Sequence, residues 1–359
     1  MKKKPVRAAT LADVGREAGV SAMAASVVLN NAGSSTRIAE STRQRILEAA
    51  RRLNYRPNIA ARALAARRIH AIGVAAVIDS GELNHYFLEV LNGVLEGAAR
   101  HGQNTTVFAL KDWQADAETR LASFCDGRID GLILIAPTLS RAAARRLPRD
   151  TPFVFIHGNT HVSGIPNLET DEERGARELV EHLVALGHRR ILHLAGPEGR
   201  LGAERRIRGY RTALEAANIP ASPELIVRAD YTLSAGRAAM RCWLATRGRR
   251  RLPDAIFCCN DACAAGCLEA LAEAGIRVPD DVSLAGFDDN LVARTTVPQL
   301  TTVRQPLREM GSAAVEALIR RREEIDSGRR PRTRRVIVFP TTLVQRGSVA
   351  RLRRRNRSG

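Results

Sequence analysis

The stretch Thr10–Asn30, TLADVGREAGVSAMAASVVLN, constrains this chain more than any other. Leu11, Val14 and Ala18 recur at helical spacing, Gly19 breaks the run, and Val20 stays apolar. Ser21 is a suitable N-cap for a second helix carrying Ala25, Val28 and Leu29 on one side. Two helices joined by a short turn containing Gly form a helix-turn-helix, whose second helix fits the DNA major groove. An ordinary helical hairpin at the edge of a larger fold fits the same pattern, so the rest of the chain must decide. Ser41, with Gln44 three residues on, signals a capping box for a third helix with Ile46, Leu47, Ala50 and Leu53 on its apolar face.

Charge favours the nucleic-acid reading. Residues 1–68 hold 14 Lys and Arg against 4 Asp and Glu, and residues 329–359 hold 11 Arg and no acid. The stretch between them is close to neutral at −3. A near-neutral body with two basic ends is the footprint of a polyanion binder. Arg-rich codon usage would explain Arg over Lys, but not the clustering. At 359 residues the chain has room for two or three domains. No apolar run reaches the roughly 18 residues of a membrane helix. The basic start MKKKPVRAAT is not followed by an apolar segment, so no signal peptide is expected and the cytoplasm is the expected location. Six cysteines without a CxxC pair fit a reducing compartment.

Beyond the third helix, Pro57 stops helical continuation. Residues 59–68, IAARALAARR, are helix-favouring but too short to stand alone. They are either a linker or a hinge helix that orders when two copies pair on DNA. From Ala71, apolar runs at 71–78, 104–110, 131–136, 152–157, 189–195, 225–230, 255–259 and 282–287 alternate with amphipathic stretches at 86–101, 172–187, 205–217, 234–246 and 261–274. This alternation predicts an α/β core of parallel sheets in two lobes. Late strand-like segments at 300–304 and 335–344 suggest that the chain crosses back between lobes. The tail 350–359 has no heptad pattern.

These residues resemble the lactose-repressor (LacI/GalR) family of bacterial transcription regulators, from about Thr10 to Ser348. TLADVGREAGVS with SVVLN resembles the family's head, and TRQRILEAARRLNYRPNIAARAL its third helix and hinge. HLVALGHRRILHLAGP, RIRGY, FCCNDACAAGCLEAL, RVPDDVSLAGFDD and LTTVRQP resemble successive core blocks. The resemblance implies a homodimer with an all-α helix-turn-helix head, a hinge helix and a core of two periplasmic-binding-protein-like lobes. A small effector would bind between those lobes. The organisation expected is a head at 1–57, a hinge at 58–69, a core at 70–348 and a basic tail at 349–359. Within the core, the N-lobe would take about 70–168 and 303–334, and the C-lobe about 169–302 and 335–348.

By the same resemblance, Ala22, Met23 and Val27 stand where relatives read base edges. Their short apolar side chains cannot make bidentate contacts to G or A, but can meet a thymine methyl. Readout would then shift toward Ser21 or the loop residue Arg37. Thr10, Ser21, Asn30, Thr42 and Tyr55 match positions that hold phosphates, which position a head without reading sequence. Thr10 and Ser21 can also serve as helix caps. Asn58 and Ala61 belong to the hinge, and Leu64 matches the leucine that relatives wedge into the minor groove.

In the core, Tyr86, Phe87, His157, Arg200, Arg206, Tyr231, Asn260, Asp288 and Gln305 fall at or just past strand ends, where α/β lobes bind ligands. Each matches a position that contacts effector in one relative or another. Sugars and sugar derivatives are the effector class the resemblance favours, with purines and nucleosides as the alternative. His157 departs from the Asp that relatives often carry there, and Asp261 and Arg200 could equally close the lobes or face solvent.

Cys258, Cys259, Cys263 and Cys267 invite a metal reading, but zinc sites pair cysteines with a second pair or with histidines, so small core residues are expected. No cofactor loop or nucleophile motif is present. An enzyme is therefore not expected, and the head argues against a solute-binding transport component.

Overall fold

The computed structural model describes residues 8–30, 38–56, 68–78, 84–328 and 336–352. The chain divides into two units between His70 and Ala71. In the first unit, helices span Leu11–Ala18, Ala22–Asn30 and Glu40–Arg52. Val14, Ala18, Ala25, Val28, Ile46, Ala49 and Ala50 form their common core. Thr10 caps the first helix in a full capping box, with Asp13 Oδ2 accepting from the Thr10 backbone N–H at 2.9 Å. Gly19 ends that helix in the left-handed region at φ 64°. A Cβ at Gly15 would press on the Val20 carbonyl oxygen at 2.8 Å, so glycine is what lets the turn fold back here.

Two details of the third helix differ from expectation. It begins at Glu40 with Ala39 at its N-cap and no side-chain cap, so Ser41 lies inside the helix and the Ser41–Gln44 capping box does not form. Leu47 is exposed, and Ala49 takes the buried position instead.

The second unit holds two parallel sheets. The first has the order β11-β5-β4-β3-β1-β2, built from β1 (Ala71–Val77), β2 (Asn104–Leu110), β3 (Gly131–Ile135), β4 (Phe153–Ile156), β5 (Asn167–Thr170) and β11 (Val336–Phe339). The second has the order β7-β6-β8-β9, from β6 (Ile191–Ala195), β7 (Ile226–Arg228), β8 (Ala255–Cys258) and β9 (Ser283–Ala285). An antiparallel pair, β10 (Thr302–Arg304) with β12 (Thr342–Val344), lies where the chain crosses between the lobes.

β5 is not among the strands the sequence points to. Its NLET run has no apolar alternation, yet all four residues are buried. Asn167 makes this possible by trading hydrogen bonds with both backbone groups of Gly158, at 2.9 and 3.1 Å. The expected strand 335–344 is two strands in different sheets. Pro340 has no N–H for a ladder, and the chain leaves the first sheet there. β5 and β11 pair with each other in the first sheet, so the lobe boundaries expected near 168 and 335 move to just past Thr170 and just past Phe339. The 303 boundary moves too, because β10 pairs with β12 and the chain rejoins the first lobe at the Leu307–Asp326 helix.

Glycines set how closely the helices pack. A Cβ on Gly93 would strike the Arg308 carbonyl oxygen, and one on Gly311 would strike that of Val90. Gly236 and Gly266 meet the carbonyls of Cys263 and Leu233 in the same reciprocal way. Gly311→Ala should lower stability by about 1–3 kcal/mol through overpacking, read as a shift in urea midpoint. An unchanged midpoint would mean that these helices part without cost.

Candidate nucleic-acid interface and ligand cleft

On the head, the second helix buries Ala25 and Val28 and turns Ala22 and Met23 outward. Met23 is 75% exposed, a high value for a large apolar side chain. Val27 is half-buried beside them. Ser21 Oγ accepts from the Ala24 N–H at 3.1 Å, so it caps the helix while staying exposed. Thr10 likewise serves as a cap. Thr42 lies in the first turn of the third helix and Tyr55 packs half-buried against the head core. Asn30 ends the second helix. Arg37, Asn58, Ala61 and Leu64 lie outside the described residues.

A buried polar cluster in the core is organised around Arg206, 5% exposed on the Leu201–Ala216 helix. Its Nη2 donates to Glu172 Oε1 at 3.0 Å, and its Nη1 donates to the Cys259 carbonyl at the end of β8. Its guanidinium carbon lies 4.0 Å from the Phe287 ring centroid and 5.9 Å from that of Tyr231. Nε finds no partner among the described residues, so one buried donor is left over.

Glu172 begins the Glu172–Ala185 helix, where backbone N–H groups favour a negative charge. Burial pushes its carboxyl upward, but the Arg206 and Arg205 guanidiniums outweigh that and hold it below the usual range. Arg205 carries the network outward, to Glu172 Oε2 at 3.4 Å and to buried Glu169 at 2.5 Å, which also meets His161.

Asp288 follows β9 with φ 122°, and Asp289 follows with φ 58°. Such backbone costs about 1–3 kcal/mol per residue and persists only where the surroundings enforce it. Here the Asp288 N–H donates to Val303, the Gln305 N–H donates to Asp288, and Asp289 is held by Arg304 and Arg346. Gln305 Nε2 also donates to the Asp288 carboxylate at 2.7 Å. His157, just past β4, is a third strand-end residue with positive φ, at 49°. Its Nδ1 lies 2.6 Å from the Tyr86 hydroxyl and its Nε2 lies 3.1 Å from Thr170 Oγ1. Burial lowers the His157 pKa, so its imidazole is neutral, and burial raises the Tyr86 and Tyr231 phenols.

The structure thus brings Tyr86, His157, Arg206, Tyr231, Asp288 and Gln305 together. Asn260 adjoins them, but both ends of its amide are engaged: it caps the Asp261–Glu273 helix through Cys263 N–H and donates to the Tyr231 carbonyl at 2.9 Å. Phe87 does not join the cleft. It is 3% exposed within the first lobe's apolar core, so its place is in packing. Arg200 reaches across to Thr138 Oγ1 of the first lobe, and the Leu201 N–H beside it donates to Asn159 at 2.7 Å. Asp261 is buried, accepting from Thr302 and the Asn290 N–H at 2.6 and 3.1 Å. Glu172, Thr170 and Phe287 are not among the residues the sequence points to. The only signal for Glu172 is its place one residue past the N-cap Asp171. The four cysteines lie wholly buried in one apolar cluster, and among the described residues no group is arranged to hold a metal.

Burial pushes the Asp288 pKa from 3.8 up to about 6, partly offset by Arg206 and Gln305. The unfolded chain loses this proton near 3.8 and the folded chain near 6. Between those values the folded state holds more protons, so stability falls as pH rises. Asp288→Asn keeps an acceptor for Gln305 and removes the buried charge. Urea unfolding should find it more stable than wild type near pH 7, by up to about 3 kcal/mol, with the gain vanishing near pH 4. A gain independent of pH would rule out the buried charge as its cause.

Comparison with known proteins comes to the same two parts. Residues 10–58 match the family of bacterial regulatory proteins, lacI family, and residues 180–349 match a periplasmic binding protein-like domain. The HTH-type transcriptional regulator DegA of Bacillus subtilis (strain 168) is 32% identical over 96% of this chain and 98% of its own. The Lac repressor dimer bound to operator and the anti-inducer ONPF aligns with a TM-score of 0.80 and 28% identity, over 96% of this chain and 100% of that one. A complex of the transcriptional regulator CelR with cellobiose aligns with a TM-score of 0.70 and 26% identity, over 95% and 99%.

Proposed function

The chain belongs to the lacI family of bacterial regulatory proteins, DNA-binding transcription regulators with an effector-binding core, and from that premise we propose that it is a repressor controlled by a sugar or sugar derivative held between its two lobes. The observation that carries the effector half is the meeting of the helix residue Arg206 with Asp288, Tyr231 and His157, which lie past strand ends of both lobes. A charged donor, a carboxylate and aromatic faces suit a ring bearing several hydroxyls. The CelR structure with cellobiose, on the same fold, supports that class.

Two chains pair with C2 symmetry, as in the Lac repressor dimer on its operator, and so read a pseudo-palindromic site. Ala22, Met23 and Val27 face base edges, with readout shifted in part to Ser21 or the loop residue Arg37. Thr10, Ser21, Asn30, Thr42 and Tyr55 hold phosphates, and in the hinge Asn58 contacts DNA while Leu64 and Ala61 face the minor groove. Effector binding changes how the lobes sit, and its differential affinity for the two states limits the size of the switch. The protein works in the cytoplasm, on the chromosome, and it is a regulator without turnover. Conversion of a bound sugar to product would overturn that.

A thermal-shift screen of carbohydrates against nucleosides separates the sugar reading from the purine alternative, because a bound ligand raises Tm. Arg206→Ala should leave operator affinity within about twofold of wild type and abolish the effector's influence on it; a normal response clears Arg206 from the site. Leu64→Ala should weaken operator binding at least about tenfold, or about 1.4 kcal/mol, while sparing non-specific DNA. Equal losses on both DNAs in anisotropy titrations would remove the wedge.

A further inference from the structure

Five side chains join the two lobes in one hydrogen-bonded chain. Gln305 Nε2 donates to Asp288 Oδ1, Thr170 Oγ1 donates to Gln305 Oε1, His157 Nε2 meets Thr170, and His157 Nδ1 meets the Tyr86 hydroxyl. Thr170, Asp288 and Gln305 are each no more than 4% exposed, so water does not substitute for these partners.

The carboxylate end fixes the direction of the whole chain. An ionised carboxylate only accepts, so Gln305 turns its NH2 toward Asp288 and its oxygen toward Thr170. Thr170 has a single hydroxyl proton, and Gln305 takes it. The contact between His157 Nε2 and Thr170 therefore has to be donated by the imidazole. A neutral imidazole carries one N–H, which leaves Nδ1 bare to accept the Tyr86 proton. Tyr86 lies near enough to Asp288, Glu172 and Arg206 to feel their charges.

We propose that His157 sets what this wall of the cleft recognises: by holding the Tyr86 proton it leaves the phenol oxygen as an acceptor, so the effector must bring hydrogen-bond donors to it and a carboxylate is refused. This rests on the effector cleft proposed above. A carboxylate there would face the Tyr86 lone pairs as well as Asp288 and Glu172, with the Arg206 charge already engaged by Glu172. A hydroxyl meets no such penalty. His157 is a positioning residue in this scheme, acting through Tyr86.

The tautomer can be read without any ligand. Full-length protein labelled with 15N-histidine, its signals assigned by their loss in His157→Gln, should show His157 protonated on Nε2 and bare on Nδ1 near neutral pH. A proton on Nδ1 overturns the proposal. Thr170→Val removes the acceptor of the Nε2 proton and should weaken the preference; an unchanged tautomer would show that the chain does not set it. In thermal-shift titrations, D-glucose and D-galactose should each raise Tm more than D-glucuronate and D-galacturonate at equal concentration. A uronate that outperforms its parent sugar overturns the refusal of carboxylates. If none of the four shifts Tm, the sugar reading of the cleft loses support, while the tautomer still decides the role of His157.

Discussion

The core depends on keeping one guanidinium out of water. A buried charge is tolerated only when paired and hydrogen-bonded. Arg206 meets that demand by drawing on Glu172 from one helix, the Cys259 carbonyl at a strand end and the Phe287 ring from the segment after β9. Each partner belongs to a different element, so the position of one side chain fixes three backbone segments. Glu172 sits at a helix N-terminus and leans on Arg205, which in turn holds Glu169 of the first lobe. The pair is thus more than local: moving the lobes apart must break the Arg205–Glu169 link and disturb the carboxylate that steadies Arg206.

The same economy explains the strained strand ends. Asp288, Asp289 and His157 carry positive φ, although none is glycine. In each case the unusual backbone aims a side chain that then finds a fixed partner: Gln305 for Asp288, Arg304 and Arg346 for Asp289, Thr170 and Tyr86 for His157. Strain and polar contacts are coupled here, since relaxing the backbone would leave a buried polar group unpaired. Arg304 ends the crossover β10 and Gln305 follows it, so the segment linking the lobes is also the one that holds the acidic turn in place.

Much of this is legible in the sequence, for identifiable reasons. The head is legible because Val14, Ala18, Ala25 and Val28 obey a strong 3.6-residue period and Gly19 interrupts it. The parallel strands are legible because most are short apolar runs. β5 is not, because its burial is made possible by Asn167 and a carboxylate network rather than by apolar side chains. The boundary inside 335–344 is hidden because one continuous β-rich run serves two sheets, with only Pro340 marking the change. In the cluster, Asp288 and Tyr231 stand out as chemistry past strand ends, and Arg206 as a charged residue in the helix that follows β6. Glu172 and Thr170 are hidden, since nothing in a polar residue beside a helix start announces a partner 34 or 135 residues away. Phe87 misleads for the opposite reason: an aromatic just inside a helix start suits a cleft and a core equally well.

The exposed face of the head's second helix narrows how this protein can find its DNA. Ala22 and Met23 face outward with Val27 half-buried beside them, and none of the three carries a donor or an acceptor. Such a face cannot read the hydrogen-bonding pattern of a G·C pair and can sense only the methyl of thymine or the groove's shape. On the proposed reading, affinity comes from phosphate contacts, which the basic end of the chain is well supplied to make, and discrimination from Ser21 or Arg37 together with the deformability of the site. A head of this composition gains specificity mainly when two copies, held at a fixed spacing, demand that a stretch of duplex bend to meet both. On the proposed reading, operator choice then depends on the segment between head and core as well, and geometry is what an effector would alter.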